Sequence, residues 1–83
     1  MSDTLKVVAI IIAKPGQADV VKAACAPLVE ASRNEAGCLH YELVADNNNP
    51  HRFIMLEEWT SKAALELHTT MTHYKAFGAI VGH

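Results

Sequence analysis

Two stretches of this chain carry the side chains best suited to chemistry. Arg33, Glu35, Gly37, Cys38 and Tyr41 form R-x-E-x-G-C-x-x-Y; Glu57 and Trp59 follow as E-x-W, then His68, then His73-Tyr74. Carboxylates, imidazoles and a phenol are the groups that take, give or orient a proton. Glu57 shares a strand face with Phe53, Met55 and Trp59, so it is expected among apolar side chains, where its charged form is costly and its pKa rises. It is then either an anchor for the following helix or a pocket carboxylate that orients a histidine or binds a substrate hydroxyl. His68 follows Leu65 by three residues and turns toward the buried side of its helix, as a structural hydrogen bonder or a base. Tyr41 is assigned to the strand face of Leu39 and Leu43, where its hydroxyl needs a partner or a ligand. Trp59 serves as core or as a stacking platform. Arg33 and Glu35 sit at a helix end and are expected to brace the turn into the next strand.

His68 and His73 lie five residues apart, which is not the i, i+4 spacing of a helical metal pair, and no third ligand is evident; no metal site is expected. His40, His51 and His83 have no supporting context. GxSxG, a P-loop, a dinucleotide glycine fingerprint and zinc spacing are all missing from the sequence, so no bound cofactor is expected.

The elements that must position these groups are legible in the hydrophobic pattern. Leu5 to Ala13 is dominated by Val and Ile and reads as a strand, stopped by Lys14-Pro15-Gly16. Gln17 to about Asn34 reads as a helix with Val21, Ala24 or Cys25, Leu28 and Ala31 or Ser32 on one face. Pro27 removes one backbone donor and is expected to kink it. Gly37 suits a left-handed position closing that helix. Cys38 to Asp46 and Arg52 to Trp59 are two strands of a hairpin around the turn Asn47 to Pro50. Thr60 or Ser61 caps a helix opening at Lys62 and running to about His68. Thr69 to Thr72 is poor helix sequence and predicts a break before a last helical segment reaching Phe77.

The order β-α-β-β-α is the ferredoxin-like α+β order with its final strand missing, an antiparallel sheet with helices on one face. Residues 1–83 form one domain. Gly82-His83 falls where the last strand would begin, and without it the apolar first strand is an open edge; either the sequence is incomplete at this end, which is the favoured expectation, or a partner covers the edge, or the fold is trimmed.

Both faces of the first strand are apolar: Val7, Ala9 and Ile11 point one way, and Val8, Ile10 and Ile12 the other. Two helices cover only one side of a sheet, and an antiparallel sheet normally shows polar residues on its open face. A homodimer through sheet faces is therefore expected. Composition agrees: hydrophobic residues make up 51% of 83 residues, rich for a domain with so much surface per residue. A net charge of −2 with no basic stripe argues against nucleic acid. The longest apolar run, Val7 to Ala13, is too short to span a bilayer. Met-Ser-Asp-Thr lacks the positive region of a leader, and Cys25 and Cys38 do not form a CxxC pair; a cytoplasmic protein with reduced thiols is expected.

The segment RNEAGCLHYELVADNNNPHRFIMLEEWTSKAALELHTTMTHYKAF, Arg33 to Phe77, resembles the antibiotic biosynthesis monooxygenase (ABM) domain family, especially its small quinol-monooxygenase-like members. The resemblance rests on E-x-G-C-x-x-Y, then E-x-W, then the histidine nine residues later, then H-[FY]-x-x-F. It implies a dimeric α+β barrel with a pocket between sheet and helices in each subunit. It also implies oxidation of a quinol or a polyphenolic, polyketide-like aromatic by O₂ without metal or flavin. In that chemistry a deprotonated, electron-rich substrate itself reduces O₂ by one electron and the radical pair recombines, so the protein supplies a base, an apolar chamber and orientation. On this resemblance His68 is the candidate base and Glu57 tunes or orients it. Tyr41 and His73 hold substrate oxygens, and Trp59 and Phe53 stack on the ring. Heme-degrading relatives carry an iron-ligating histidine where this chain has Gly78, so heme degradation is not expected. The rival readings are a small-molecule isomerase on the same fold, a non-catalytic ligand-binding dimer, and an assembly module with structural Glu57 and His68.

Overall fold

The Val- and Ile-rich first segment forms strand β1, Leu5–Ile12, in a computed structural model that describes residues 4–81. Helix α1 (Ala18–Arg33), strands β2 (Cys38–Asp46) and β3 (Asn49–Trp59), and helices α2 (Lys62–His68) and α3 (Thr72–Val81) follow. The fold is α+β and ferredoxin-like. Among the described residues the sheet has three antiparallel strands in the order β1-β3-β2, so the hairpin's second strand is central. Gly82 and His83, where the sequence places the start of a last strand, lie outside the described residues, as do Met1 to Asp3.

α1 buries Val21, Ala24, Cys25, Leu28 and Ser32, one stripe at helical spacing, and continues through Pro27 to Arg33. In the hairpin, Asp46 Oδ1 accepts the Asn48 N–H at 2.8 Å and Arg52 Nη1 donates to Asp46 Oδ2 at 3.0 Å. β3 therefore starts at Asn49, earlier than the sequence reading. Pro50 is tolerated there because the β2–β3 register is interrupted between Ala45 and Asp46, where a missing ladder donor costs little. α2 is capped by Ser61, whose hydroxyl accepts the Ala64 N–H at 3.1 Å. The break between the last helices falls at Thr69 to Met71, and α3 runs on to Val81 rather than stopping at Phe77.

The helix-covered face of the sheet is built in rows across the strands. Val7, Glu57 and Tyr41 are register partners; so are Ala9, Met55 and Leu43. A register shift between Cys38 and His40 moves Leu39 out of the alternation. Leu39 is 53% exposed and does not share Tyr41's face, while Cys38 packs against the core in its place. The opposite face carries Val8, Ile10 and Ile12 at 66%, 52% and 64% exposure.

Gly37 also differs from expectation. Among the described residues the left-handed glycine is Gly16, at φ 78°. At Gly37 the constraint is space: an added Cβ would stand 2.4 Å from the Ala64 Cβ. The glycine lets the α1–β2 turn and α2 approach closely.

Candidate functional site

Three elements bring ionisable groups together beside the end of the sheet. The turn after α1 supplies Glu35, the last residue of α2 is His68, and the first turn of α3 supplies His73. Glu35 Oε2 accepts hydrogen bonds from His68 Nδ1 at 2.6 Å and His73 Nε2 at 2.7 Å. The Glu35 side chain is 8% exposed and His68 2%. The turn is fixed from both sides: the Glu35 N–H donates to the Ser32 carbonyl, the Glu35 carbonyl accepts from the Cys38 N–H, and Thr60 N–H bonds the Gly37 carbonyl at 2.8 Å. Arg33 Nε reaches the Tyr41 carbonyl at 2.8 Å and ties α1 to β2 as the sequence reading expects. Glu35 does more than brace the turn, because its carboxylate leaves it for two histidines.

Glu57 is occupied differently. Its Oε1 accepts the Trp59 Nε1–H at 2.8 Å; the hydrogen bond that orients His68 comes from Glu35, not from Glu57. The reason is register: Glu57 and Trp59 share a face two residues apart on β3, whereas His68 Nδ1 is turned toward the α1–β2 turn. Burial pushes the Glu57 carboxyl above its ordinary value, the nearby Glu35 charge adding to this, while the Trp59 bond and His68 oppose it. Burial, then the Glu57 charge, pushes the Tyr41 phenol well above the usual tyrosine range, so Tyr41 stays a hydrogen-bond donor at neutral pH.

His68 sits within a ring of aromatic side chains. Its centroid lies 4.5 Å from Trp59, 5.1 Å from Tyr74, 5.5 Å from Tyr41 and 5.8 Å from His73. Its Nε2 is buried and has no hydrogen-bond partner among the described residues. An imidazole bonded to a carboxylate through Nδ1 carries the proton there and, when neutral, presents a lone pair at Nε2.

A cleft of about 620 Å³ opens between the sheet, α1 and α3. Its polar wall residues are Tyr41, Glu57, Tyr74 and Lys75; Ile11, Leu28, Met55 and Phe77 contribute apolar wall. Of the residues given a site role from the sequence, Tyr41 and Glu57 stand on this wall, as does Tyr74 of the opening motif, which was given no role there. His68, Trp59, His73 and Phe53 do not; His68 meets it through ring contacts with Tyr41 and Tyr74. His73 Nε2 is taken by Glu35. Glu35, Tyr74 and Lys75 were not among the sequence's site candidates. Glu35 stood in the motif but was assigned to the turn, and its 33-residue separation from His68 leaves no local signal. Both cysteine thiols are held protonated, burial raising each and Glu35 adding to the effect at Cys38; they are poor nucleophiles.

Glu35, His68 and His73 each offer one ligand atom within 4.8 Å of the others, and two imidazoles with a carboxylate suit a borderline divalent ion. Donors sharing one ion at about 2.1 Å stand roughly 3.4 Å apart at the tetrahedral angle. The observed contacts of 2.6 and 2.7 Å are those of a hydrogen-bonded triad; an ion would require the bridging protons to leave and the atoms to part. No helix among the described residues is long and apolar enough to cross a membrane.

Residues 4–79 match the family described as Antibiotic biosynthesis monooxygenase. The crystal structure of PA3566 from Pseudomonas aeruginosa is 42% identical, with a TM-score of 0.90 over 94% of this chain and 79% of that one. A crystal structure described as an antibiotic biosynthesis monooxygenase is 35% identical, with a TM-score of 0.88 over 93% of this chain and 81% of that one. Among curated relatives, Bacillus subtilis YcnE, named a "putative monooxygenase", is 32% identical over 80% of this chain and 70% of its own length. The uncharacterized protein sll1783 from Synechocystis is 29% identical over 90% of this chain. The chain spans about half of that relative's length, 51%.

Proposed function

Because this chain belongs to the antibiotic biosynthesis monooxygenase family, we propose that it oxidises an electron-rich, quinol-type aromatic with O₂ in the cleft between sheet and helices. The observation that carries this reading is the row Val7–Glu57–Tyr41, which puts a carboxyl of raised pKa and a persistently protonated phenol side by side on the wall of an apolar cleft. The cleft's volume is within the range of small-molecule sites.

Substrate deprotonation falls to the Glu57–His68 pair. Glu57 is the member on the wall, and its raised pKa makes it a stronger base than an ordinary carboxylate. His68 lies close enough to influence its charge and holds the unpartnered nitrogen. Tyr41 donates to the oxygen on which negative charge builds. Tyr74 supplies an aromatic surface, and the Lys75 ammonium favours an anionic substrate. The anion gives one electron to O₂, and the radical and superoxide combine into a carbon-bound peroxide. For an anthrone, the peroxide loses water to leave a carbonyl: one oxygen atom enters the product and the other leaves as water with the two hydrogens of the oxidised carbon.

The sheet's open face is assigned to a second copy of the chain. This is supported by Val8, Ile10 and Ile12, exposed in one row on the side the helices do not cover.

The test is O₂ uptake with a panel of reduced naphthoquinols and anthrones, run aerobically and anaerobically with wild type and Glu57→Gln. Enzyme-dependent uptake that falls on the order of 100-fold in the variant is expected, the lower end of a general base's contribution. Turnover that persists without O₂ would instead favour proton-transfer chemistry such as isomerisation. No turnover of the panel under either condition counts against an oxygenase.

A further inference from the structure

We infer that Glu35 is the positioning residue of this site: it sets the tautomer and orientation of His68 and carries the charge that balances an imidazolium formed there. Three observations converge on this. The Glu35–His68 contact is 2.6 Å between side chains that are 8% and 2% exposed, a charge-assisted bond shielded from water. The other ring nitrogen is buried without a partner among the described residues, which leaves the Glu35 bond to fix which nitrogen bears the proton. Glu35 is itself immobilised, through both of its backbone groups and through His73, which donates to the same oxygen at 2.7 Å.

The chemistry follows from that geometry. Held by its Nδ1–H, the imidazole presents the Nε2 lone pair on its far side, away from the turn. A proton accepted there makes the ring cationic with both nitrogens protonated. Glu35 remains a carboxylate and gains a cationic donor in place of a neutral one. No proton has to cross to Glu35 for the step to balance. His73 has a supporting part: it pins the carboxylate oxygen from a second helix, so that the turn, α2 and α3 meet at one atom.

The effect on turnover rests on the proposed role of His68 as a proton acceptor; the effect on the His68 tautomer does not, and the two are read separately. The experiment is long-range ¹H–¹⁵N correlation on uniformly labelled protein at a pH where His68 is neutral, alongside naphthoquinol oxidation. Wild type, Glu35→Gln and Glu35→Ala are compared. Wild-type His68 should show the Nδ1–H form. Glu35→Gln keeps a carbonyl acceptor at the same position, so the tautomer should be retained while the charge is lost. Its kcat should fall on the order of tenfold or more, part of the 100- to 10,000-fold that a general base contributes, with KM little changed. Glu35→Ala should give a mixture of tautomers or the Nε2–H form. If Glu35→Ala does not fold, Glu35→Gln and the wild-type spectrum still decide the matter. A wild-type Nε2–H tautomer, or an alanine variant with the wild-type tautomer, overturns the inference. A wild type that oxidises nothing in the panel but shows the expected tautomers sinks the oxidation reading and leaves the positioning role standing.

Discussion

The two faces of the sheet are made by alternate residues of the same strands, yet they do different work. Toward the helices, β1, β3 and β2 contribute Val7, Glu57 and Tyr41 in one row. Glu57 and Tyr41 are buried at 8% and 3% exposure. One residue along, the row is Val8, Leu56 and Glu42, with Val8 exposed and Glu42 paired at 3.0 Å with the solvent-facing His40. The covered face holds Glu57 and Tyr41 inside an apolar surround, and the open face holds the aliphatic row of β1 against water beside charged groups of β2 and β3. Each is the reverse of what burial alone favours. Polar groups kept dry at a cost suit a reaction site, and apolar groups left wet suit an interface.

The largest expected effect is on the covered face. His68→Ala removes a 2%-exposed ring that touches Trp59, Tyr41 and Tyr74 and leaves the Glu35 carboxylate short of one partner. Aromatic truncations in a core cost about 3–5 kcal/mol, and a loss near the lower end is expected in urea unfolding. Because the site is within one subunit, the loss should not depend on protein concentration. On the open face, Ile10→Lys should leave the subunit folded and abolish the proposed dimer. Sedimentation equilibrium should show at least a 100-fold weaker association, about 2.7 kcal/mol. A wild type that is monomeric at all accessible concentrations removes the interface half of the comparison without touching the site.

How much of this was legible before the structure depends on which kind of contact is asked about. The helix stripe from Val21 to Ser32, the hairpin and the Ser61 cap follow from local periodicity and local chemistry, and all are found. Alternation alone grouped Glu57 with Phe53, Met55 and Trp59, and Tyr41 with Leu43; which of the two apolar faces the helices cover was not legible from it. The Leu39 assignment failed because one extra residue in β2 inverts the alternation, and a bulge leaves no mark in the residue types at that position. The Glu35–His68–His73 triad failed to emerge because its members come from three elements, and their meeting depends on how close α2 can lie to the turn. That distance is set by Gly37, read in the sequence as a residue needing unusual φ when its actual task is to have no side chain.

Gly37→Ala tests that closeness directly. The new methyl would stand 2.4 Å from the Ala64 Cβ and 3.1 Å from Thr60 Oγ1, so α2 must move. Overpacking of this sort costs about 1–3 kcal/mol. The shift should also lengthen the Glu35–His68 bond, visible as a changed His68 tautomer signal. A fully stable variant with an unchanged His68 signal would mean that the turn and α2 adjust independently of the triad. The same substitution at Gly16, where nothing lies within 4 Å of the added Cβ, should strain only the left-handed backbone and leave His68 untouched.

The smallest effect expected on stability is also the one with the clearest sign. Burial raises the Glu57 pKa in the folded chain, so the folded state binds its proton more tightly than the unfolded state does. Between the unfolded and folded values the folded state holds more protons, and stability falls as pH rises through that window. The penalty is absent below the ordinary carboxyl value and complete above the raised one. Glu57→Gln keeps an oxygen for the Trp59 indole and removes the titration, so its unfolding free energy should lose this downward slope while wild type keeps it. A wild-type profile that instead rises across the same window would put Glu57's charge among the fold's stabilising interactions. That outcome would make Glu57 an anchor like Arg33 and take the base away from the cleft wall.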